Sequence, residues 1–256
     1  MNTTKRFLTP EEVFDTLLNV DKITSLEGQI RFYLGDVDIV VRQRDVVGNI
    51  IQEWLEGWLK HNNIYYKPNV NSQMPPDIYL SEDKTKNLLE VKAFNADASP
   101  AFDIADFKAY AREIIEKPYM LHTKYLIFAY KMSEEGVVTI KNIWLKNVWE
   151  ICRAMDKQKN WAVNVQYKNG QIHKIRPAAW YSKIKTKYPT FRCLEDFISA
   201  LEETILLYGE TRQLGNSGWK NKVVQAYKNH FGKELVVPRW MDIEDKYRLA
   251  EAVKPE

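Results

Sequence analysis

The chain is short of the residues that build covalent or soft-metal frameworks. Its two cysteines, Cys152 and Cys193, lie far apart. They are too few for a disulfide scaffold or a thiolate zinc site, and reduced core thiols are expected. The four histidines, His61, His122, His173 and His230, have no second histidine or cysteine at the i+3 to i+5 spacing of a helical metal site, which argues against zinc and His-metal chemistry. Long apolar runs are also missing. Pieces such as residues 125–130 fall well short of the roughly 20 residues that span a bilayer, and the opening MNTTKRFLTPEE has no secretory apolar stretch. The expectation is a cytoplasmic protein with no membrane partner. There is no repeat, low-complexity tract or Gly/Ser linker, so a single domain is expected over residues 1–256. Neither sign of charge dominates: 37 basic against 34 acidic residues leave +3, a balance that permits a polyanionic partner without demanding one.

What is present suits an ordinary globular core, with 45% hydrophobic and 28% charged residues. Thr9 before Pro10 and Glu11 reads as a cap followed by an N1 proline, opening a short helix over 10–19. Residues 29–41, QIRFYLGDVDIVV, are strand or hairpin material. From Val46 to His61 the apolar residues Val47, Ile50, Ile51, Trp54, Leu55 and Trp58 recur at helical spacing. A strand is expected over 64–66, a hairpin over 78–80 and 88–94, and a helix over 103–116 that stops at Pro118. Residues 124–132, KYLIFAYKM, predict a buried strand with 137–145 as its hairpin partner. Beyond these lie a hairpin across Asn169-Gly170, a basic stretch from Trp180 to Tyr188, and helices over 194–208 and from about 219 to 231. The eight tryptophans are expected chiefly in the core.

The informative segment is PPDIYLSEDKTKNLLEVKAFN, residues 75–95. A hairpin with a two-residue turn at Asp83-Lys84 pairs Ile78 with Leu89 and Asp77 with Glu90, and any even loop centred there keeps that register. Opposed residues have Cβ atoms about 4.5–5.5 Å apart, and alternation puts Lys92 on the face of Glu90. A one-residue slip would scatter the group. Two carboxylates and one ammonium therefore converge. Such an acid pair repels itself or retains a proton unless a cation joins it, and a hard divalent ion such as Mg2+ suits carboxylate oxygens, a phosphate oxygen and a nucleophilic water together. Lys92 would polarise or help deprotonate that water.

Pro76-Asp77 and Glu90-Val91-Lys92, each within apolar strand sequence, resemble the PD-(D/E)XK nucleases, and within them the type II restriction endonucleases. The order of helix, strand hairpin, helix and strand over residues 46–145 is similar to that family's core. The fold implied is α/β, a restriction-endonuclease-like core with a central mixed β-sheet flanked by helices, followed by a C-terminal α+β elaboration over 146–256. The resemblance implies Mg2+-dependent hydrolysis of phosphodiesters in double-stranded DNA, leaving 5′-phosphates. It assigns catalysis to Asp77, Glu90 and Lys92 and the metal to Asp77, Glu90 and Val91. It also implies a further acid on the preceding helix, with Glu53 the candidate and Glu56 its rival. No glutamine-and-tyrosine motif of the RecB-like branch follows Lys92, which tilts the reading toward restriction. A homodimer is expected because cutting both strands of a palindrome is simplest with two symmetric sites.

Blander readings stand beside these. A spaced Asp and Glu-X-Lys is common on solvent-facing strands, and Glu53 reads equally as a solvated helix charge. Lys183, Lys185 and Lys187 fit either one phosphate-contacting strand face or a charged edge. Asn95 and Asp97, just beyond Lys92, are placed to reach base edges, though most loop polars meet only water. GNSGWKNK, from Gly215 to Lys222, lacks Walker-loop spacing and reads as a capping loop. The alternatives are a nuclease of the same superfamily acting in repair or recombination, and a DNA-binding protein without catalysis.

Overall fold

The computed structural model describes residues 5–70, 74–155, 161–182 and 188–248. Its strands are β1 Glu27–Gln29, β2 Arg31–Leu34, β3 Val37–Val40, β4 Lys67–Pro68, β5 Ile78–Tyr79, β6 Leu88–Asn95, β7 Ala105–Asp106, β8 Lys124–Met132, β9 Val137–Asn147, β10 Val165–Lys168 and β11 Gln171–Ile175. Its α-helices are α1 Pro10–Asp15, α2 Val47–His61, α3 Phe107–Glu116, α4 Val148–Ile151, α5 Leu194–Leu207, α6 Arg212–Asn216, α7 Trp219–Phe231 and α8 Trp240–Tyr247. No described helix is long and apolar enough to cross a membrane. The chain separates into two compact units, one of residues 1–70, 76–100 and 124–146, the other of 71–75, 101–123 and 147–256.

A mixed six-stranded sheet in the order β1-β9-β8-β6-β5-β4 organises the first unit. β6 runs parallel to β8 over seven residue pairs and antiparallel to β5, as a sheet built from a hairpin and a helical crossover requires. β1, from before residue 46, completes one edge by pairing with β9. Helix α2 forms because Val47, Ile51, Leu55 and Leu59 recur every fourth residue, and all four are buried. They share one aliphatic core with Leu89 and Val91 of β6 and Leu126 and Phe128 of β8. Each such side chain contributes about 2 kcal/mol by leaving water, which anchors α2 against the centre of the sheet.

At the first helix Thr9 accepts from the Glu12 N–H while Glu12 accepts from the Thr9 N–H, a reciprocal cap that starts α1 where the sequence predicts. Residues 16–20 then widen into a π-turn. Two local expectations are corrected. Ile64 makes only a single bridge to Arg6 and the strand falls at β4, which starts three residues on. The connection between β5 and β6 is an eight-residue loop, 80–87, rather than a two-residue turn. There Asp83 accepts from the Thr85 N–H and pairs with Lys86, and local side-chain bonds of this kind stabilise a loop over a continued ladder. The register survives because Leu80 N–H still donates to the Asn87 carbonyl, so the loop is even and centred as expected.

The second unit packs α3, α5, α7 and α8 with a three-stranded sheet, β10-β11-β7. The turn between β10 and β11 lies at Asn169-Gly170 as predicted. Buried Trp219 of α7 donates from Nε1 to the Ala111 carbonyl, 2.6 Å away. Helices α6 and α8 were not legible in the sequence. The segment read as a capping loop is divided: Gly215 belongs to α6 and Gly218 is the N-cap of α7.

Candidate active site

β6 assembles the site. Because Leu89 and Val91 enter the aliphatic core, alternation turns Glu90 and Lys92 to the other side of the strand. Glu90, whose partner Tyr125 makes the second pair of the parallel ladder, is only 4% exposed. Its Oε1 lies 2.7 Å from Lys92 Nζ, and its Oε2 is buried without a hydrogen-bond partner. Burial pushes the Glu90 carboxyl up to about 7, with Lys92 pulling it down and Asp77 pushing it further up.

Asp77 joins from the β5 side. The backbone ladder stops at Ile78↔Leu89, and beyond it Asp77 reaches across with its side chain: Oδ2 accepts the Val91 N–H at 2.8 Å. Val91 thus takes part in the site through its backbone. Asn69 holds the other end of this link. Its N–H donates to the Asp77 carbonyl at 2.8 Å and its Nδ2 to the Pro76 carbonyl at 2.9 Å. Burial raises the Asp77 carboxyl, opposed by Lys92 and by the Val91 N–H.

The two helix acids separate. Glu53 is exposed, whereas Glu56, one turn on, is half-buried and raised first by burial, then by Asp77 and then by Glu53. The structure therefore brings Glu56, the rival, toward Asp77. Asn95 closes β6, and its Oδ1 accepts the Asp97 N–H, while Asp97 pairs with Lys131 at 2.5 Å. Lys183, Lys185 and Lys187 lie outside the described residues. Sequence reasoning missed Asn69 altogether. No motif marks it, since its role depends on two backbone carbonyls that only the folded chain brings near.

Among the described residues no group of three or more His, Cys, Asp and Glu side chains gathers as a metal-holding cluster. The two carboxylates nevertheless fit a hard cation. Two raised acids share a site with an orphaned buried oxygen, an arrangement that costs free energy unless a positive charge completes it. All the side-chain oxygens on offer are of the kind Mg2+ accepts.

The decisive observation comes from comparison with known proteins. The family model described as NgoBV restriction endonuclease matches residues 7–247. The chain belongs to that restriction endonuclease family. It is 56% identical over 242 residues to the type II restriction enzyme NlaIV of Neisseria lactamica, covering 94% of this chain and 98% of the relative. Identity to the type II restriction enzyme NgoBV of Neisseria gonorrhoeae is 52% over 162 residues, which is 63% of this chain and 90% of the relative. The solved NlaIV restriction endonuclease superposes with a TM-score of 0.92 at 54% identity, covering 96% of this chain and 99% of that one. The restriction-endonuclease fold expected from the sequence is thus present, and the activity is that of a type II restriction endonuclease, an endodeoxyribonuclease. Of the readings the sequence left open, neither repair nor passive DNA binding is the one this restriction endonuclease family carries.

Proposed function

We propose that this restriction endonuclease hydrolyses phosphodiester bonds of double-stranded DNA with Mg2+, leaving 5′-phosphates, and that Asp77, Glu90 and Lys92 perform the reaction. The observation that carries the assignment is the burial of Glu90 with one oxygen paired to Lys92 and the other orphaned, beside a second raised carboxylate. Asp77 and Glu90 would hold the cation with the Val91 backbone, and the bound ion would supply Lewis-acid polarisation of a phosphate oxygen and of the attacking water.

The protein's own groups do the rest. Lys92, as an ammonium paired with Glu90, favours loss of the attacking water's proton to solvent as the new O–P bond forms, and offsets the charge on the phosphorane until the P–O3′ bond breaks and the 3′-oxygen leaves with a proton from solvent. Asp77, tied to the Val91 N–H and steadied by Asn69, fixes its carboxylate relative to Glu90. Glu56 adds negative potential next to Asp77 and is the proposed accessory acid in place of Glu53. The Asn95–Asp97 turn, which follows Lys92 directly, is proposed to meet base edges. The two units act together as one nuclease, and two copies of the chain cut the two strands.

Digestion of long duplex DNAs of known sequence, with magnesium and with EDTA, tests this reading. Discrete magnesium-dependent bands that vanish in Lys92→Ala are expected. Undiminished cutting by that variant would remove Lys92 from the reaction.

A further inference from the structure

The sheet that carries Asp77 and Glu90 ends in strand β4, and its register continues their face outward. Lys67 of β4 pairs with Tyr79 of β5, which pairs in turn with Leu88 of β6. The Asn69 N–H bonded to the Asp77 carbonyl extends the β4–β5 pairing one residue beyond Pro68↔Ile78. Ile78 and Leu89 belong to the aliphatic core, so alternation turns Tyr79, Asp77 and Glu90 to the opposite side. Cross-strand partners share a side, which puts Lys67 on the face of Asp77, diagonally across the ladder with Cβ atoms about 7 Å apart.

A second cation comes to the same residue from the loop. Lys84 Nζ lies over the Tyr79 ring, 5.9 Å from its centroid, at the outer range of a cation–π contact. The loop is stiffened at Asp83, whose carboxylate accepts from the Thr85 N–H and hydroxyl and pairs with Lys86 at 2.9 Å. Lys86 is thereby engaged, while Lys84 is turned to the ring. Lys67 is exposed and makes no ion pair among the described residues, whereas Lys92, Lys124 and Lys131 of the same unit are each held by a carboxylate.

We infer that Lys67 and Lys84, gathered at Tyr79, contact backbone phosphates of the DNA beside the bond that is cut and hold that strand against Asp77 and Glu90, a role that rests on the proposed nuclease reading. A polyanion must approach a place where Asp77, Glu90 and Glu56 lie near one another and where the Lys92 ammonium is already paired with Glu90. Without cations alongside, that approach is repelled. Phosphates of one strand advance about 3.4 Å along the helix axis per residue, so a lysine about 7 Å from Asp77 meets the backbone a step or two from the reacting phosphate. Lysine and proline on an edge strand also resist pairing with another sheet, and Lys67-Pro68 satisfies that rule. Edge protection does not account for Lys84, which stands in a loop and converges on the same ring; phosphate contact accounts for both. Contacts of this kind place the duplex without reading its sequence.

Binding of the full chain to duplex DNA in EDTA, measured over a range of KCl concentrations, tests these contacts apart from catalysis. Lys67→Gln and Lys84→Gln should each lower the slope of log affinity against log salt by about 0.9 and weaken binding roughly tenfold, equally for duplexes of different sequence. Both lysines are exposed, so the thermal transition should stay at the wild-type temperature. Lys67→Arg should keep the wild-type slope. Lys22→Gln, next to Ile23 of the aliphatic core, should keep it too; an equal fall there would mean that the slope follows net charge alone and would overturn the site. In magnesium the two glutamine variants should raise KM with kcat close to wild type, because a contact to a phosphate that does not react is the same in the ground and transition states. Unchanged slope and affinity in both would overturn the inference and leave Asp77, Glu90 and Lys92 as they stand. A wild type that binds, with the expected slopes in its variants, yet cuts nothing in magnesium would support the phosphate contacts and overturn the proposed reaction.

Discussion

Two hairpins of the same unit invert the usual partition of side chains in opposite directions. In β5–β6 the strands bury Glu90 and partly bury Asp77 and Lys92, where ordinary packing would place aliphatic side chains. In β2–β3 the strands expose Phe32, Leu34, Val37 and Ile39, where ordinary solvation would place polar ones. Both arrangements cost free energy in the isolated chain. The first would be relieved by the cation and phosphate of the proposed reaction. The comparison teaches that a departure from burial rules names the chemistry of what is missing.

The sharpest way to break the comparison is to remove the charges of the buried hairpin. Lys92→Ala and Asp77→Asn are expected to lower the cleavage rate by a factor of ~1,000 or more, within the range set by loss of proton transfer and charge stabilisation, while a filter-binding assay shows DNA affinity largely kept. Equal loss of binding and cleavage would instead make these residues structural.

A second test uses the cost of the buried acid itself. Because the folded carboxyl of Glu90 is raised from 4.5 to about 7, the folded state binds this proton more tightly than the unfolded chain. Its contribution is therefore fully present below about pH 4.5 and is lost as pH rises to 7. In EDTA, urea denaturation should show a decline of about 3 kcal/mol across that window, an order-of-magnitude figure, attributable to Glu90. Glu90→Gln should flatten the decline, and added magnesium should restore stability to the wild type but not to the variant.

A smaller effect sharpens the other side. Gly136, in the turn between β8 and β9, has φ +83, and a Cβ there would lie 2.5 Å from Val40 Cγ1 and 3.2 Å from the Val41 carbonyl. Gly136→Ala should cost about 2 kcal/mol, and protection of residues 31–41 in hydrogen exchange should fall first, since it is their foot that is displaced. The smallest effect separates the helix acids. Glu56→Gln should slow cleavage about tenfold, as loss of one charge neighbouring the carboxylate proposed to hold the metal would do, and Glu53→Gln should leave the rate close to wild type. The reverse order would return Glu53 to the accessory role.

Much of this was legible before any coordinate. The helical spacing of Val47, Ile51 and Leu55 marked α2, the runs of residues 88–94 and 124–132 marked the two parallel strands, and the parity of the hairpin register predicted which residues share a face. Legibility failed where local bonds compete with regular structure. Asp83 and its neighbours turn residues 80–87 into a loop, and the short helices α6 and α8 lack a long periodic stripe. It failed also where distant segments meet: nothing in the order of residues ties Asn69 to Pro76 and Asp77.

The sequence by itself determined the chemical inventory, an acid and a lysine on one side of a strand with a second acid across the hairpin, because side-chain alternation is a property of the extended backbone. Only the tertiary structure decided that Glu90 would lie dry beside Lys92 with one oxygen unpartnered, that Asp77 would bind the Val91 N–H beyond the end of the ladder, and that an apolar ribbon face would be left uncovered. Burial and desolvation depend on what packs from elsewhere in the chain, and no local pattern encodes them.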